Sequence, residues 1–150
     1  IGARFEGQEK ILVQKVLVRG IDIDMNAIPD ALPALAVAGC FAKGETKLLN
    51  VPQARLKETD RIRVMFEELS KMGADIEELE DGLIIRESEL KPAEVYGHKD
   101  HRIVMALAIA GLCLNGETAI DTAEAASVTF PSFPELIKKC GGNIRSDIWE

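Results

Sequence analysis

The feature that most constrains this chain is an internal repeat. The segment 36–46 (Ala-Val-Ala-Gly-Cys-Phe-Ala-Lys-Gly-Glu-Thr) matches the segment 108–118 (Ala-Ile-Ala-Gly-Leu-Cys-Leu-Asn-Gly-Glu-Thr) at a constant offset of 72 residues. Each copy is a run of small and apolar residues ahead of a glycine, which predicts a helix ended by that glycine. Because small residues let other backbones approach closely, we expect both helices to be buried. The sequence therefore predicts two copies of one structural unit.

The elements predicted around the first copy form a β-α-β-α-β-β unit over residues 21–92. In chain order they are an alternating strand at 21–25, the small-residue helix, a strand at 46–50, a helix capped by Thr59 and stopped by Gly73, and strands at 75–79 and 83–87. Asp81-Gly82 stands between the last two strands and is a strong hairpin signal.

The rest of the chain is predicted to hold parts of neighbouring units. A short strand at 118–121, a helix at 131–140 and closing strands at 143–148 define a second unit over 93–150. Residues 9–19 alternate as a strand does, so we interpret residues 1–20 as the end of a preceding unit. The predicted fold class is therefore α/β (α+β), built from repeated β-α-β-α-β-β units with buried helices.

Composition argues against several classes of protein. With 47% hydrophobic and 29% charged residues, the chain is typical of a soluble globular protein. Its apolar runs are shorter than the roughly 20 residues that cross a bilayer, so we expect a cytoplasmic protein with no membrane partner. A net charge of −7 with 5% aromatic residues argues against a nucleic-acid partner.

The three cysteines indicate neither a disulfide framework nor a zinc site. Their number is odd, and they show no C-x-x-C spacing and no neighbouring histidine. We interpret Cys40 and Cys113 as buried helix residues and Cys140 as part of a helix end.

A basic cluster at 55–63 contrasts with the acidic balance of the chain. Arg55, Lys57, Arg61 and Arg63 fall within this short segment, Arg-Leu-Lys-Glu-Thr-Asp-Arg-Ile-Arg. Paired N–H donors of this kind commonly hold an anionic small ligand. The alternative is a solvated helix face on which the interleaved acids form ion pairs with the basic residues. Spacing alone leaves both interpretations open.

A second polar cluster, at 98–102, holds both histidines of the chain and precedes the apolar run 103–114. The N–H groups of a first helical turn favour anions, although a histidine there can also be a structural cap. The repeat offset places Asp30, before the first small-residue helix, opposite Arg102 at the start of the second. We expect the two to converge at one edge of the fold, although Asp30 could also be a simple helix N-cap.

Four motifs in this chain together resemble the C-terminal part of the 5-enolpyruvylshikimate-3-phosphate synthase family. They are 24–30 (Asp-Met-Asn-Ala-Ile-Pro-Asp), 55–61 (Arg-Leu-Lys-Glu-Thr-Asp-Arg), 100–102 (Asp-His-Arg) and 129–131 (Thr-Phe-Pro). The resemblance implies two domains, each made of three β-α-β-α-β-β units around buried helices in an inside-out α/β barrel. This chain would supply about two of the six units, all within the C-terminal domain.

The resemblance also implies a reaction. Members of the family transfer the enolpyruvyl group of phosphoenolpyruvate to the 5-hydroxyl of shikimate 3-phosphate and release phosphate, in the shikimate pathway of aromatic amino acid biosynthesis. They need no metal and no cofactor. By this resemblance Asp30 accepts the hydroxyl proton, and Glu58 protonates and later deprotonates the methyl carbon. Lys57 contacts the shikimate side and the reacting oxygen, and His101 stands next to the site with an implied catalytic role.

The remaining implied roles concern substrate binding. Arg61 and Arg102 match arginines that bind phosphoenolpyruvate. Gln53 stands where some members have an asparagine that reaches the shikimate phosphate. Val128 departs from the family pattern, since many members carry a lysine ahead of Thr-Phe-Pro.

The resemblance covers the C-terminal part of a longer enzyme, so we expect this fragment to be inactive without the N-terminal domain, its expected partner. A different interpretation is a non-catalytic anion-binding or interaction module with the same repeat fold.

Overall fold

A computed structural model describes residues 3–6, 10–13 and 17–145 of the chain. The first described element is a hairpin in which β1 (Ala3–Glu6) pairs antiparallel with β2 (Lys10–Val13). A strand was predicted from the alternation over residues 9–19, and β2 lies within that range. Their assignment to a preceding unit stays a prediction, as does the division of the chain at residues 20 and 92.

The next elements follow the predicted β-α-β-α-β-β order. They are β3 (Asp22–Asp24), α1 (Leu32–Cys40), β4 (Glu45–Leu49), α2 (Arg61–Lys71), β5 (Asp75–Leu79) and β6 (Gly82–Arg86). The four strands form one sheet in the order β3-β4-β6-β5, in which only the β3–β4 pair is parallel. The parallel pair requires a crossover, and α1 provides it. The hairpin around Asp81-Gly82 is confirmed.

A close contact between helix and sheet explains why the repeat contains glycine. A Cβ on Gly39 of α1 would lie 3.3 Å from Cβ of Thr46, which points inward from β4. The equivalent residues of the second copy meet in the same way, since a Cβ on Gly111 would lie 2.9 Å from Cβ of Thr118. The repeated glycine and threonine therefore mark the same packing contact in both copies.

The second copy of the repeat forms the last described elements. They are β7 (Glu94–Tyr96), α3 (His101–Leu112), β8 (Ala119–Asp121) and α4 (Phe133–Lys139), with β7 and β8 paired in parallel. The closing strands predicted at 143–148 are not found at 143–145, and residues 146–148 lie outside the described residues.

Three details of the helix ends differ from the predictions. The helices α1 and α3 end about one turn before Gly44 and Gly116, which instead take the left-handed conformation in the following loops. Asp60, not Thr59, caps α2, because the Asp60 carboxylate accepts from the N–H of Arg63 at 3.0 Å. The Thr59 hydroxyl instead donates to the side chain of Asp100.

The cysteine predictions hold in part. Cys40 is fully buried on α1, and Cys140 follows α4 as predicted. Cys113 is exposed, because α3 ends at Leu112 and Cys113 belongs to the turn that leaves the core.

The main core lies between the four-stranded sheet and the helices α1, α2 and α3. Its largest fully buried apolar side chains are Met25, Leu32, Leu48, Ile62, Met65, Leu69, Met72, Leu83, Ile85, Ile103 and Leu107. Both small-residue helices contribute to it, which confirms the prediction that they are buried. Within the described part of the chain, no helix is long and apolar enough to span a membrane.

Candidate active site

The beginnings of three helices meet at one edge of the core. Asp30 lies in a short 3-10 turn before α1, Arg61 is the first residue of α2, and Arg102 lies in the first turn of α3. Nη1 of Arg61 donates to Oδ1 of Asp30 at 2.8 Å, and Nη2 of Arg102 lies 3.3 Å from Oδ2 of Asp30. The predicted convergence of Asp30 and Arg102 is therefore confirmed. Asp30 makes no side-chain cap, so the N-cap interpretation is wrong.

Arg61 is the buried centre of this cluster, with a side chain only 1% exposed. Its Nε donates to Oδ2 of Asp100 at 2.7 Å, and its Nη2 donates to Oε2 of Glu58 at 2.6 Å. Burial opposes the charge, but the hydrogen bond to Asp100 and the charges of Asp100, Glu58 and Asp30 raise the pKa of Arg61. The guanidinium therefore carries its charge inside the fold.

Asp100 anchors Arg61 and also begins α3. Its side chain is fully buried and accepts from the N–H of Arg102 at 2.9 Å, as a helix N-cap does. The hydroxyl of Thr59 donates to Oδ2 of Asp100 at 3.3 Å. Burial would favour the neutral acid, yet the hydrogen bonds from Arg61 and from the Arg102 N–H lower the pKa of Asp100. Asp100 is part of the 100–102 motif, but no role was predicted for it from the sequence. An acidic residue directly ahead of an apolar helix is the signal that could have identified it as a helix N-cap.

Lys57 and Glu58 complete the cluster on its solvent side. Nζ of Lys57 lies 3.3 Å from Oδ1 of Asp30. Oε1 of Glu58 lies 3.8 Å from Nδ1 of His101, a separation too long for a hydrogen bond. The Asp30 and Glu58 side chains are 46% and 47% exposed, so both carboxylates face solvent.

The charges of the cluster are balanced among its described members. Three carboxylates face three cations: Asp30, Glu58 and Asp100 against Lys57, Arg61 and Arg102. Partial burial of Asp30 opposes its ionisation, but Lys57, Arg102 and Arg61 together lower its pKa. The site thus presents ionised carboxylates that can accept a proton beside cations that can hold an anionic ligand.

A groove of about 190 Å³ opens from this cluster along the two small-residue helices. Asp30 and Arg102 line its polar part, and Val37, Met105 and Ile109 are among its apolar walls. A ligand at the cluster would therefore meet charge at one end and apolar surface at the other.

The other two basic residues of the 55–63 segment belong to a different network. Arg55 donates to Asp60 at 2.7 Å and to the carbonyl of Leu79 at 2.6 Å, which ties the loop to the β5–β6 hairpin. Arg63 pairs with Glu67 at 2.6 Å across one turn of α2. Ion pairs with acidic residues therefore engage Arg55 and Arg63, and also Arg61, whose partner Glu58 is three positions away. An anion site at Lys57 and Arg61 stays a prediction.

Gln53 and Val128 are not brought into the cluster. Nε2 of Gln53 donates to the carbonyl of Asn26 at 2.9 Å, in the turn after β3. The Val128 side chain is largely exposed in a 3-10 turn that contacts α3. In the described ranges 3–6, 10–13 and 17–145, no group of three or more His, Cys, Asp or Glu side chains has the arrangement of a metal site.

Comparison with known sequences gives a consistent result. The family model described as EPSP synthase (3-phosphoshikimate 1-carboxyvinyltransferase) matches residues 1–137. The 3-phosphoshikimate 1-carboxyvinyltransferase of Acetivibrio thermocellus is 72% identical over 125 residues, which are 83% of this chain and 30% of that protein. The protein of the same name from Methanocaldococcus jannaschii is 48% identical over 139 residues, 91% of this chain and 32% of its own length.

Solved structures match the fold. An EPSP synthase structure from Acinetobacter baumannii has a TM-score of 0.79 and 35% identity, over 86% of this chain and 32% of that one. The enolpyruvyl transferase NikO from Streptomyces tendae has a TM-score of 0.75 at 18% identity, over 96% of this chain and 34% of that one, and supports the fold alone. The predicted enolpyruvyl transferase-like fold is confirmed. The chain spans about 30% of the length of the curated relatives that it matches.

Proposed function

The chain belongs to the EPSP synthase family, and from this premise we propose that its full-length protein transfers the enolpyruvyl group of phosphoenolpyruvate to the 5-hydroxyl of shikimate 3-phosphate, with release of phosphate. The observation that carries the proposal is the meeting of Asp30, Glu58 and three cations at one edge of the core. Addition and elimination at an enol carbon need a base, an acid and cations for phosphate and carboxylate groups.

Asp30 is the proposed acceptor for the proton of the 5-hydroxyl. Its lowered pKa keeps the carboxylate ionised at neutral pH, and its exposure leaves room for a substrate oxygen. Lys57, at 3.3 Å from Asp30, is placed to contact the same oxygen and to offset the charge that develops there.

Glu58 is the proposed acid and base for the enol carbon. It reaches the cluster from the loop before α2, and its carboxylate lies between Arg61 and His101. His101 is only slightly exposed and faces the free oxygen of Glu58, so we propose that it assists this proton transfer.

Arg102 and Arg61 are the proposed contacts to phosphoenolpyruvate, with different accessibility. Arg102 is 40% exposed and borders the groove, so it can meet a carboxylate or phosphate directly. Arg61 is engaged by Asp30, Glu58 and Asp100, so its Nη atoms become available to a ligand when Asp30 or Glu58 moves aside. Gln53 remains a proposed contact to the shikimate phosphate from the neighbouring loop.

We propose that the rest of the full-length protein completes the site, because the matched relatives are about three times as long as the matched segment. Its N-terminal domain is then the partner of this chain. We also propose a cytoplasmic location, since Cys40, Cys113 and Cys140 are all free thiols.

The test is phosphate release from shikimate 3-phosphate and phosphoenolpyruvate. The full-length protein should turn over at an ordinary enzymatic rate of about 1 to 10³ per second, and the 150-residue chain alone should not. A full-length protein that binds both compounds without releasing phosphate would favour a non-catalytic anion-binding module instead. Turnover by the 150-residue chain would refute the proposed need for the other domain.

A further inference from the structure

The loop that leads into α3 has a backbone conformation that needs support. His98 and Lys99 have positive φ angles of 53° and 57°, and the Asp100 N–H donates to the Gly97 carbonyl at 3.0 Å. Two consecutive left-handed residues are usual in type I′ turns, where Gly, Asn and Asp are preferred because a Cβ is disfavoured. Contacts outside the turn must therefore hold His98 and Lys99 in place.

Glu68 of α2 provides such a contact from inside the protein. Its side chain is 1% exposed, and its Oε1 lies 2.9 Å from Nε2 of His98. Its Oε2 accepts from the Tyr96 N–H at 2.9 Å, and Lys71 supplies a cation at 2.8 Å. Burial favours the neutral acid, but hydrogen bonds from Lys71, His98 and the Tyr96 N–H lower the pKa of Glu68. A buried, ionised carboxylate thus faces the turn.

Further contacts come from β7 and from the segment after β8. The Tyr96 ring packs edge-on against the His98 ring, with centroids 4.6 Å apart. The Lys99 N–H donates to Oγ1 of Thr122 at 3.1 Å. The turn is therefore held on one side by α2 and on the other by the segment that follows β8.

The loop and α2 meet at a second point, in the candidate active site. Arg61 and Glu68 lie about two turns apart on α2, and Arg61 holds Asp100 while Glu68 holds His98. The turn between these contacts determines where α3 begins, and so where Arg102 lies. A shift of the turn would move Asp100, His101 and Arg102. It would not move Gln53, the proposed contact to the shikimate phosphate.

We propose that Glu68 and His98 are positioning residues that fix the turn 97–100, and through it Asp100, His101 and Arg102. The inference rests on the proposed function, because Arg102 is a proposed contact to phosphoenolpyruvate and His101 is proposed to assist the proton transfer by Glu58.

The test uses Glu68→Gln in the full-length protein, which keeps the shape and an acceptor oxygen but removes the charge. The KM for phosphoenolpyruvate should rise about tenfold, the scale of one lost hydrogen bond to a charged group, while the KM for shikimate 3-phosphate stays within about twofold. Hydrogen exchange at the amides of residues 99 and 100 should also become about tenfold faster, whether or not substrate is present. Glu67→Gln is the matched control, because Glu67 is an exposed acid of α2 paired with Arg63, and it should change neither quantity.

Adding His98→Gly to Glu68→Gln separates positioning from general stability. Glycine adopts positive φ without a steric cost, so the double variant should regain much of the affinity for phosphoenolpyruvate. The proposal is overturned if Glu68→Gln leaves the KM for phosphoenolpyruvate and the hydrogen exchange of residues 99 and 100 at the values of Glu67→Gln. It is also overturned if adding His98→Gly restores none of the affinity for phosphoenolpyruvate. If the unmutated protein releases no phosphate, the proposed function fails, and the exchange measurement still decides the role of Glu68.

Discussion

Arg61 and Arg102 carry the same charge at the same site, but their surroundings predict different mutant phenotypes. Arg61→Ala leaves Asp100 buried without its partner, which should lower the free energy of unfolding by about 3–5 kcal/mol. Arg102→Ala removes a half-exposed side chain and should leave stability within about 1 kcal/mol of the unmutated protein. It should instead weaken phosphoenolpyruvate binding about 10- to 100-fold. Urea unfolding and KM values for both substrates measure these effects. Equal losses of stability in the two variants would contradict the burial of Arg61 and the exposure of Arg102.

Glu58 is either an acid–base group of the reaction or only an ion-pair partner of Arg61. Glu58→Gln keeps the shape but cannot donate a proton, so kcat should fall by about 10² to 10⁴ if Glu58 acts on the enol carbon. If it is only an i,i+3 partner of the buried Arg61, the change should cost at most about 3 kcal/mol of stability, the upper scale of a hydrogen bond to a charged group, and leave turnover intact. Exchange of solvent hydrogen into the methylene of phosphoenolpyruvate should fall together with kcat. Glu67→Gln is again the control, and normal turnover with normal exchange would remove Glu58 from the mechanism.

Residue types and spacing predicted only part of the arrangement of charges at the site. The offset between the repeats was enough to bring Asp30 to Arg102. Spacing could not distinguish the surroundings of Arg55 from those of Arg61, six positions further along the chain. Arg55 donates to carbonyls of the β5–β6 hairpin, whereas Arg61 is buried in the cluster. That difference depends on where α2 begins, and the capping carboxylate of Asp60 determines it.

At the scale of the element, the repeated contact between helix glycine and strand threonine should be sensitive to size. Gly111→Val should lower the free energy of unfolding by about 1–3 kcal/mol, because its Cβ alone would lie 2.9 Å from Cβ of Thr118. Ile109→Val on the same helix is the control, since Ile109 is exposed and should stay within about 0.5 kcal/mol. Urea unfolding compares the two variants. An unchanged stability of the Gly111→Val protein would show that there is room for a side chain between Gly111 and Thr118.

Periodicity and turn chemistry predicted most elements because both are local. The hairpin at Asp81-Gly82 and the strand after each Gly-Glu-Thr are of this kind. Apart from the closing strands, which are not found at 143–145, the errors concern helix ends, where alternatives of similar local energy compete. Thr59 and Asp60 can both cap a helix; here Asp60 does so, and the Thr59 hydroxyl donates to the buried Asp100. A contact between residues 59 and 100 cannot be read from local sequence.

At the scale of the whole molecule, the repeat predicted the order of elements in the first unit and most of the second. The sheet order β3-β4-β6-β5 and the packing of α1 on α3 depend on contacts between distant residues, which periodicity does not contain. The same limit applies to the site. The family resemblance supplied the proposed roles of Glu58 and Lys57, whereas the hydrogen bond from Arg61 to Asp100 became visible only in the structure.

The pairing of Asp30 with Arg102 has a consequence in terms of symmetry. These residues occupy the same position in the two copies, 72 residues apart, and their side chains touch at 3.3 Å. Identical charges there would repel each other, so an exactly symmetric pair of units could not be ionised at this point without a cost. The two copies differ in the sign of the charge at the point where they meet, and this is also where the ligand is proposed to bind.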